Sequence, residues 1–574
     1  MISRMTTTFR LATCAAALAL ATPGMADPNA GAYLAARQAA LTGDYAEAAI
    51  YFRDALLSDA NNTALMEHSL AAFLGLGQVE SAAGIARPFI AAGGESQVAN
   101  IALMAYSVRN GDWNAIFDQI EAGQEIGPLL DGLTQAWAYM GLNRPELAMM
   151  RFDEVIDTPG LRSFGQQHKA MALVILGDLA AARAIYDLPP NQGIIPSRAS
   201  VVAHLQILAQ LGDFETAQAM VDRAFGDTQD PELLALAGAI RANEVPDLAR
   251  VVSTPQEGIS FAFVGLSDIL AGEANESYLL LYAQAARFIA PQDADAQLAT
   301  ARLLNALGQY EEAARAFAQI TINDPAFYDA EIGRAEALRL SDRTDQAIEV
   351  LTQLTRSHPD IPLAQASLGD IYRRLENYED ARAAYTAALE GYPEGASIRW
   401  WLLYSRGMSN ERLDEWDAAE RDFRAALALN PDDASVLNYL GYSMVDRGMT
   451  DSYDEALAMI EKALVSRPDS GAITDSLAWA YYKLGRYAEA VTPMERAAEL
   501  EPNDPILSDH LGDVYWMVGR YTEANFQWRR ALSFEPEEKE ADRIRRKLQV
   551  GLDAVYAEEG VTPAPAVEMA NDIN

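Results

Sequence analysis

Residues 478–502 read AWAYYKLGRYAEAVTPMERAAELEP and residues 509–536 read DHLGDVYWMVGRYTEANFQWRRALSFEP, so each is a variation of the other about 34 residues away. Both close on a proline, and that proline belongs to a series: Pro325, Pro359, Pro393, Pro431, Pro468, Pro502 and Pro536, at spacings of 34, 34, 38, 37, 34 and 34. A proline lacks an amide hydrogen and disfavours helix in the residue before it, so each one ends a helix. Between the prolines, small residues recur in register. One column is Gly369, Gly407, Gly441, Ala478 and Gly512; a second is Ala381, Ala419, Ala456, Ala490 and Ala524; a third is Ala388, Ala426, Ala463, Ala497 and Ala531. Helix axes packed at about 8–10 Å leave no room for a large side chain at the crossing, which is what such columns provide. Large residues fill the space between, as in Tyr378, Trp416, Tyr453, Tyr487 and Tyr521. The period predicts stacked helical hairpins, none able to bury its apolar face alone.

The small-large-small pattern with its closing proline resembles tetratricopeptide (TPR) repeats, most clearly over residues 294–536. The resemblance implies an all-α, right-handed α-solenoid. Upstream the prolines thin out, but turns persist at Gly43-Asp44-Tyr45, Gly77, Gly111-Asp112-Trp113, Gly141, Gly177-Asp178-Leu179 and Gly212-Asp213-Phe214. A glycine there ends the first helix in a left-handed conformation, and the aspartate after it caps the second. Allowing one hairpin per 34 residues gives about 14 or 15 hairpins. The expected organisation is a signal peptide (1–26), a degenerate N-terminal solenoid (27–224) and divergent helical linking repeats (225–290). Well-formed repeats (291–536), a capping helix (537–559) and a disordered tail (560–574) follow.

Arg4 and Arg10 precede the apolar run Leu11–Ala21, which is followed by Pro23 and Gly24-Met25-Ala26. This reads as a secretory leader cleaved after Ala26, with the mature chain in the periplasm. The run is too short to span a membrane, and no later stretch reaches the length of a transmembrane segment. The single cysteine, Cys14, lies inside the leader on the wrong side of the apolar core for lipid attachment. The chain carries 82 acidic and 44 basic side chains, a formal net charge of −38, and losing Arg4 and Arg10 with the leader makes it −40. Such a field repels nucleic acid and anionic lipid, and it also keeps a protein soluble. The one basic cluster, Arg529, Arg530, Arg543, Arg545, Arg546 and Lys547, reads as the solvated face of the cap.

No reactive constellation emerges. His68, His168, His204, His358 and His510 fall in different repeats at no metal-ligand spacing, and no phosphate-cradling glycine loop occurs. Neither a cofactor nor a catalytic residue is expected, and the trade read from the sequence is binding. In the TPR family the concave wall comes from the first helix of each hairpin, which carries over here to Trp401, Tyr404, Asn438, Tyr442, Asp475, Trp479, Tyr482, Asp509, Asp513 and Trp516. Aromatic and acidic residues alternate along that wall, which suits a protein or peptide with apolar anchors and basic flanks. Gly369, Ala381, Gly441, Ala456, Ala478, Ala490, Gly512 and Ala524 are the structural positions of the repeat. The carboxylate clamp of some TPR cochaperones is absent, its places being filled by Trp479, Tyr442 and Asp513. A narrower stretch, LNYLGYSMVDRGMTDSYDEALAMIEKALVSRPDSGAITDSLAWAYYKLGRYAEAV (437–491), resembles long bacterial envelope TPR proteins. Some of these are adaptors that present cell-wall hydrolases to a C-terminal processing protease. The resemblance implies an adaptor of that kind, with a scaffold for polysaccharide export or envelope assembly as the alternative.

Overall fold

The computed structural model describes residues 28–189, 191–224, 231–245, 252–322, 324–359 and 361–567. The leader and its cleavage point lie outside these residues, as do residues 568–574 of the tail. The described residues form 31 α-helices and no strand, and none of these helices is long and apolar enough to cross a membrane. The fold of the described residues is all-α, built from paired helices.

Its repeating element is two helices of 8 to 16 residues joined by a short turn. The turn is a left-handed residue: Gly43, Gly77, Gly111, Gly177 and Gly212 all have positive φ, and Asp44, Asp112, Asp178 and Asp213 each accept a hydrogen bond from a backbone amide in the first turn of the next helix. Gly141 departs from the sequence reading. It closes the helix Pro128–Gly141, and the left-handed residue is Asn143, with φ of 56°. Asparagine tolerates this conformation, so the turn survives without glycine. Gly141 is small for another reason: a Cβ there would stand 2.3 Å from the Trp113 ring.

The small columns sit at the helix crossings. Ala381, Ala456, Ala478, Ala490 and Ala524 are fully buried. A Cβ on Gly369 would meet Tyr385 at 2.7 Å, one on Gly441 the Ala456 carbonyl at 2.9 Å, and one on Gly512 the Trp528 ring at 2.4 Å. The prolines fall just past the second helices, as Pro359 does after Thr344–Ser357 and Pro502 after Tyr487–Leu500.

The chain divides into two compact units, one ending at Ser357 and one beginning at His358. In the first unit the helices Pro255–Leu270 and Glu276–Ile289 form a hairpin that does more than link repeats. It packs back onto the first helices of earlier hairpins, Thr63–Gly75, Gln97–Arg109 and Pro128–Gly141. Gly258 lies against the Trp137 ring, Gln284 donates to the Gly75 carbonyl at 2.9 Å, and the Tyr278 hydroxyl donates to Gln97 at 2.7 Å. Residues 279–286 are buried without a break, because this helix has neighbours on every side. The inner wall of these hairpins is thus covered by the chain itself. In the second unit five hairpins, from Pro362–Arg374 to Tyr521–Ser533, are followed by the helices Glu538–Val550 and Leu552–Glu559.

The reassigned turn is testable. Gly141→Ala should destabilise by about 1–3 kcal/mol through overpacking against Trp113, whereas Asn143→Gly should be neutral or slightly stabilising, since glycine meets no penalty at positive φ. Urea unfolding followed by circular dichroism measures both. The reverse ranking would restore Gly141 as the turn residue.

Candidate functional site

The ten residues expected on the wall lie on four successive first helices of the second unit, and their environments fall into two groups. On the N-terminal side Trp401 meets Tyr385 edge-on at 6.2 Å, and Tyr404 lies 6.1 Å from Phe423 and 5.9 Å from Tyr439. Asn438 and Tyr442 follow on the next first helix, Ala434–Asp446. All four are half-buried, and the Asn438 Oδ1 has no hydrogen-bond partner. Burial pushes the Tyr404 hydroxyl up to about 12, and burial with the charges of Asp446 and Asp475 raises Tyr442 as well.

On the C-terminal side the wall is covered. Asp475, Trp479, Tyr482 and Asp513 are buried, so the strip the sequence suggested as open continues under the chain's own end. The Trp479 ring stacks between Tyr482, 4.7 Å away and nearly parallel, and His510 at 3.9 Å. His510 Nδ1 lies 2.9 Å from Asp475. Burial opposes a charge on His510, but the Asp475 carboxylate, aided by Asp509 and Asp513, prevails and raises its pKa above 6.5.

The covering segment is residues 538–567. Lys547, with its side chain wholly buried, donates to Asp509 and Asp513, in each case at 2.7 Å. Arg543 stands 3.8 Å from Asp513 and pairs with Glu559 at 2.8 Å. Asp513 also accepts from the Trp528 indole at 2.9 Å; burial pushes its carboxyl up, and the Lys547 charge pulls it back. Two carboxylates, Asp509 and Asp513, therefore meet two cations, Lys547 and Arg543, and Asp475 pairs with His510, as charges taken out of water must.

The expected single capping helix breaks at Gly551. Its φ of 86° turns the chain, and a Cβ there would stand 2.6 Å from the Trp516 ring. The short helix that follows lies on the wall: Tyr556 and Tyr482 share a hydrogen bond at 2.6 Å, and the Trp516 indole donates to Asp553 at 3.1 Å. Beyond it, Tyr487 donates to the Ala564 carbonyl at 2.6 Å and Val567 donates to the Gly485 carbonyl at 3.0 Å. Residues 561–567, part of the tail expected to be disordered, are thus held against the last repeats.

Lys547 corrects the reading of the basic cluster as a solvated face. Its neighbours are largely neutralised within the segment, Arg545 by Glu538 and Asp542, and Arg546 by Glu558. The signal available in the sequence was spacing: Ala541, Ile544, Lys547 and Leu548 follow the apolar face of Glu538–Val550, which places a lysine inside.

The tetratricopeptide repeat family matches residues 298–360 and 332–396, and a second tetratricopeptide repeat description matches residues 372–537. A TPR repeat-containing protein of Pseudomonas aeruginosa is 34% identical over 165 residues, 28% of this chain and 27% of its own length. The human protein O-mannosyl-transferase TMTC1 is 26% identical over 171 residues, 30% of this chain and 19% of its own length. The chain thus spans about a quarter of the length of the first of these relatives and less of the second. Among solved structures, the APC/C hetero-tetramer Cut9–Hcn1 aligns over 92% of this chain and 97% of that chain, at 15% identity and a TM-score of 0.38. MamA aligns over 29% and 94%, at 24% identity and a TM-score of 0.27.

Two outcomes check this site. Lys547→Ala leaves the buried Asp513 carboxylate facing the half-buried Asp509 and should cost about 3–5 kcal/mol in a thermal or urea melt, against under about 1 kcal/mol for the exposed Arg545→Ala. Equal costs would mean Lys547 is a solvent cation. His510, whose pKa is raised in the fold, contributes stability that is fully present below pH 6.5 and is lost as pH rises through its higher folded pKa. An NMR titration should place His510 above 6.5 and Asp475→Asn should lower it; a midpoint at or below 6.5 would contradict the pairing.

Proposed function

We propose, from the premise that this chain is a tetratricopeptide-repeat protein, that it is an exported adaptor whose partner binds the uncovered stretch of wall from Trp401 to Tyr442. TPR repeats make protein-interaction scaffolds. The observation that carries the reading is the chain's own C-terminal segment seated on the adjoining wall. That segment presents a lysine to two carboxylates and a tyrosine to an aromatic stack. A partner helix or extended peptide with an aromatic or aliphatic anchor and a basic flank makes the same two kinds of contact farther along. There it meets the half-buried Tyr404 and Tyr442, the unsatisfied Asn438 and the acids Glu411 and Asp446.

The finer version is a periplasmic adaptor that presents envelope proteins to a processing protease. It rests on the leader-like N-terminus and on the stretch 437–491. A scaffold for polysaccharide export or envelope assembly is the alternative, and co-purification from the envelope separates them by the partner recovered. Both versions make the chain a binder, with no chemistry of its own. The resemblance to TMTC1 bears on 19% of that protein, and turnover by the isolated chain would replace this reading with an enzymatic one.

Two measurements test the proposal. Mature protein recovered from the periplasm should begin at Asp27; an intact Met1 or a lipidated Cys14 would overturn the localisation. Crosslinked capture followed by mass spectrometry should lose its partner in Tyr404→Ala with Tyr442→Ala, since anchor truncations cost about 2 kcal/mol or more each. A double variant that captures the partner as well as the parent does would exclude this wall as the binding face.

A further inference from the structure

The first unit holds a cavity of 320 Å³ where the Pro255–Ile289 hairpin meets the turns of earlier repeats. This is the lower end of the size range of small-molecule sites, about 300–1,000 Å³. Its lining is unusual for a chain with 82 acidic side chains. Arg287, half-buried at the cavity, makes no hydrogen bond, and no carboxylate lies within ion-pair distance of it among the described residues. Its pKa is lowered, and burial is the sole cause. A cation at this depth without a counter-charge is costly unless something supplies one.

Two buried amides face the same space. Gln284 donates its Nε2 to the Gly75 carbonyl at 2.9 Å, and Gln297 donates its Nε2 to the Pro291 carbonyl at 2.5 Å. Those carbonyls accept only, so the orientation of each amide is fixed and the oxygens are left over. Both side chains are more than nine-tenths buried, and both Oε1 atoms lack a hydrogen-bond partner. Gly77 keeps the place open. With φ of 77° it sits where a Cβ would come within 2.6 Å of the Arg287 Nη2 and 2.7 Å of the Gln284 Oε1. At the rim, Arg109 uses one N–H on the Ile289 carbonyl at 3.4 Å, and the exposed Glu80 forms no ion pair with either arginine.

The site therefore offers guanidinium donors beside two unmet acceptors. We propose that it binds a carboxylate with an adjoining N–H donor, the grouping shared by a free amino acid and a peptide C terminus. The carboxylate takes Arg287 and Arg109, and the N–H donor takes Gln284 or Gln297. This is independent of the wall in the second unit and of any partner bound there.

Isothermal titration of the full mature chain decides it, with N-acetyl-alanyl-alanine, its C-terminal amide and free alanine as probes. At least one of the two carboxylates should bind, and which one does identifies the source as a peptide end or an amino acid. The amide should bind at least about tenfold more weakly, since the charge-assisted pair is missing. Arg287→Gln should weaken binding at least about tenfold with the melting curve of the free protein unchanged or shifted upward. Should that variant not fold, Arg109→Gln at the exposed rim must weaken binding several-fold. No heat with either carboxylate would mean the cavity holds only water and would overturn the proposal. Equal binding of the amide would overturn it too, as would undiminished binding by the folded arginine variants.

Discussion

A helical hairpin of this kind packs one side on the hairpin before it and another on the hairpin after it, which leaves the inner face of its first helix to be covered or presented. That face is the constraint around which each unit is organised. In the first unit the hairpin Pro255–Ile289 lies on the first helices of three earlier repeats, and Phe263, Leu280 and Tyr282 are buried as core residues. In the second, residues 538–567 cover the wall at the last two repeats and leave its N-terminal stretch half-open. A repeat array that covers part of its own wall offers a shorter binding surface than its repeat number suggests.

The two coverings use different physics. The hairpin of the first unit is held mainly by apolar burial and a few amide and hydroxyl bonds. Its core includes His168, which accepts from the Trp137 indole at 3.0 Å and whose pKa burial lowers to about 3. Such a histidine stays neutral in the fold, so the stability it lends falls as pH drops from 6.5 towards that value. The covering of the second unit is electrostatic at its centre. Asp509 and Asp513 are matched by Lys547 and Arg543 of the covering segment, beside Asp475, which pairs with His510 within the wall itself. The acidity of the chain, read as a selector for basic partners, is satisfied first from within.

Much of this was legible. The 34-residue period, the alanine and glycine columns and the closing prolines report contacts between neighbours in sequence, and those are the contacts that repeat. What repeats poorly was harder to read. Gly141 and Asn143 traded roles because a glycine two residues early looks like a turn, while the left-handed residue was an asparagine. The hairpin at 255–289 showed its hydrophobicity but not its destination, since periodicity does not say which distant helices an element returns to. Lys547 stood in a run of cations and was read with them as wet surface. Only its place on the apolar stripe of its helix distinguished it, and the carboxylates it meets lie 34 and 38 residues away.

The central claim is that the C-terminal segment lies on the inner wall. Amide hydrogen exchange of the full-length chain, read by mass spectrometry on peptides covering 552–567 and 471–483, tests it most directly. Protection at Leu552–Glu559 and at Val567, well above that of a free peptide and lost together with protection at Gly471–Lys483 as denaturant is added, is the predicted result, because elements that cover one another open as one unit. Exchange at the free-peptide rate throughout 552–567, with Gly471–Lys483 still protected, would contradict the account and return Tyr482 and Trp516 to an open face.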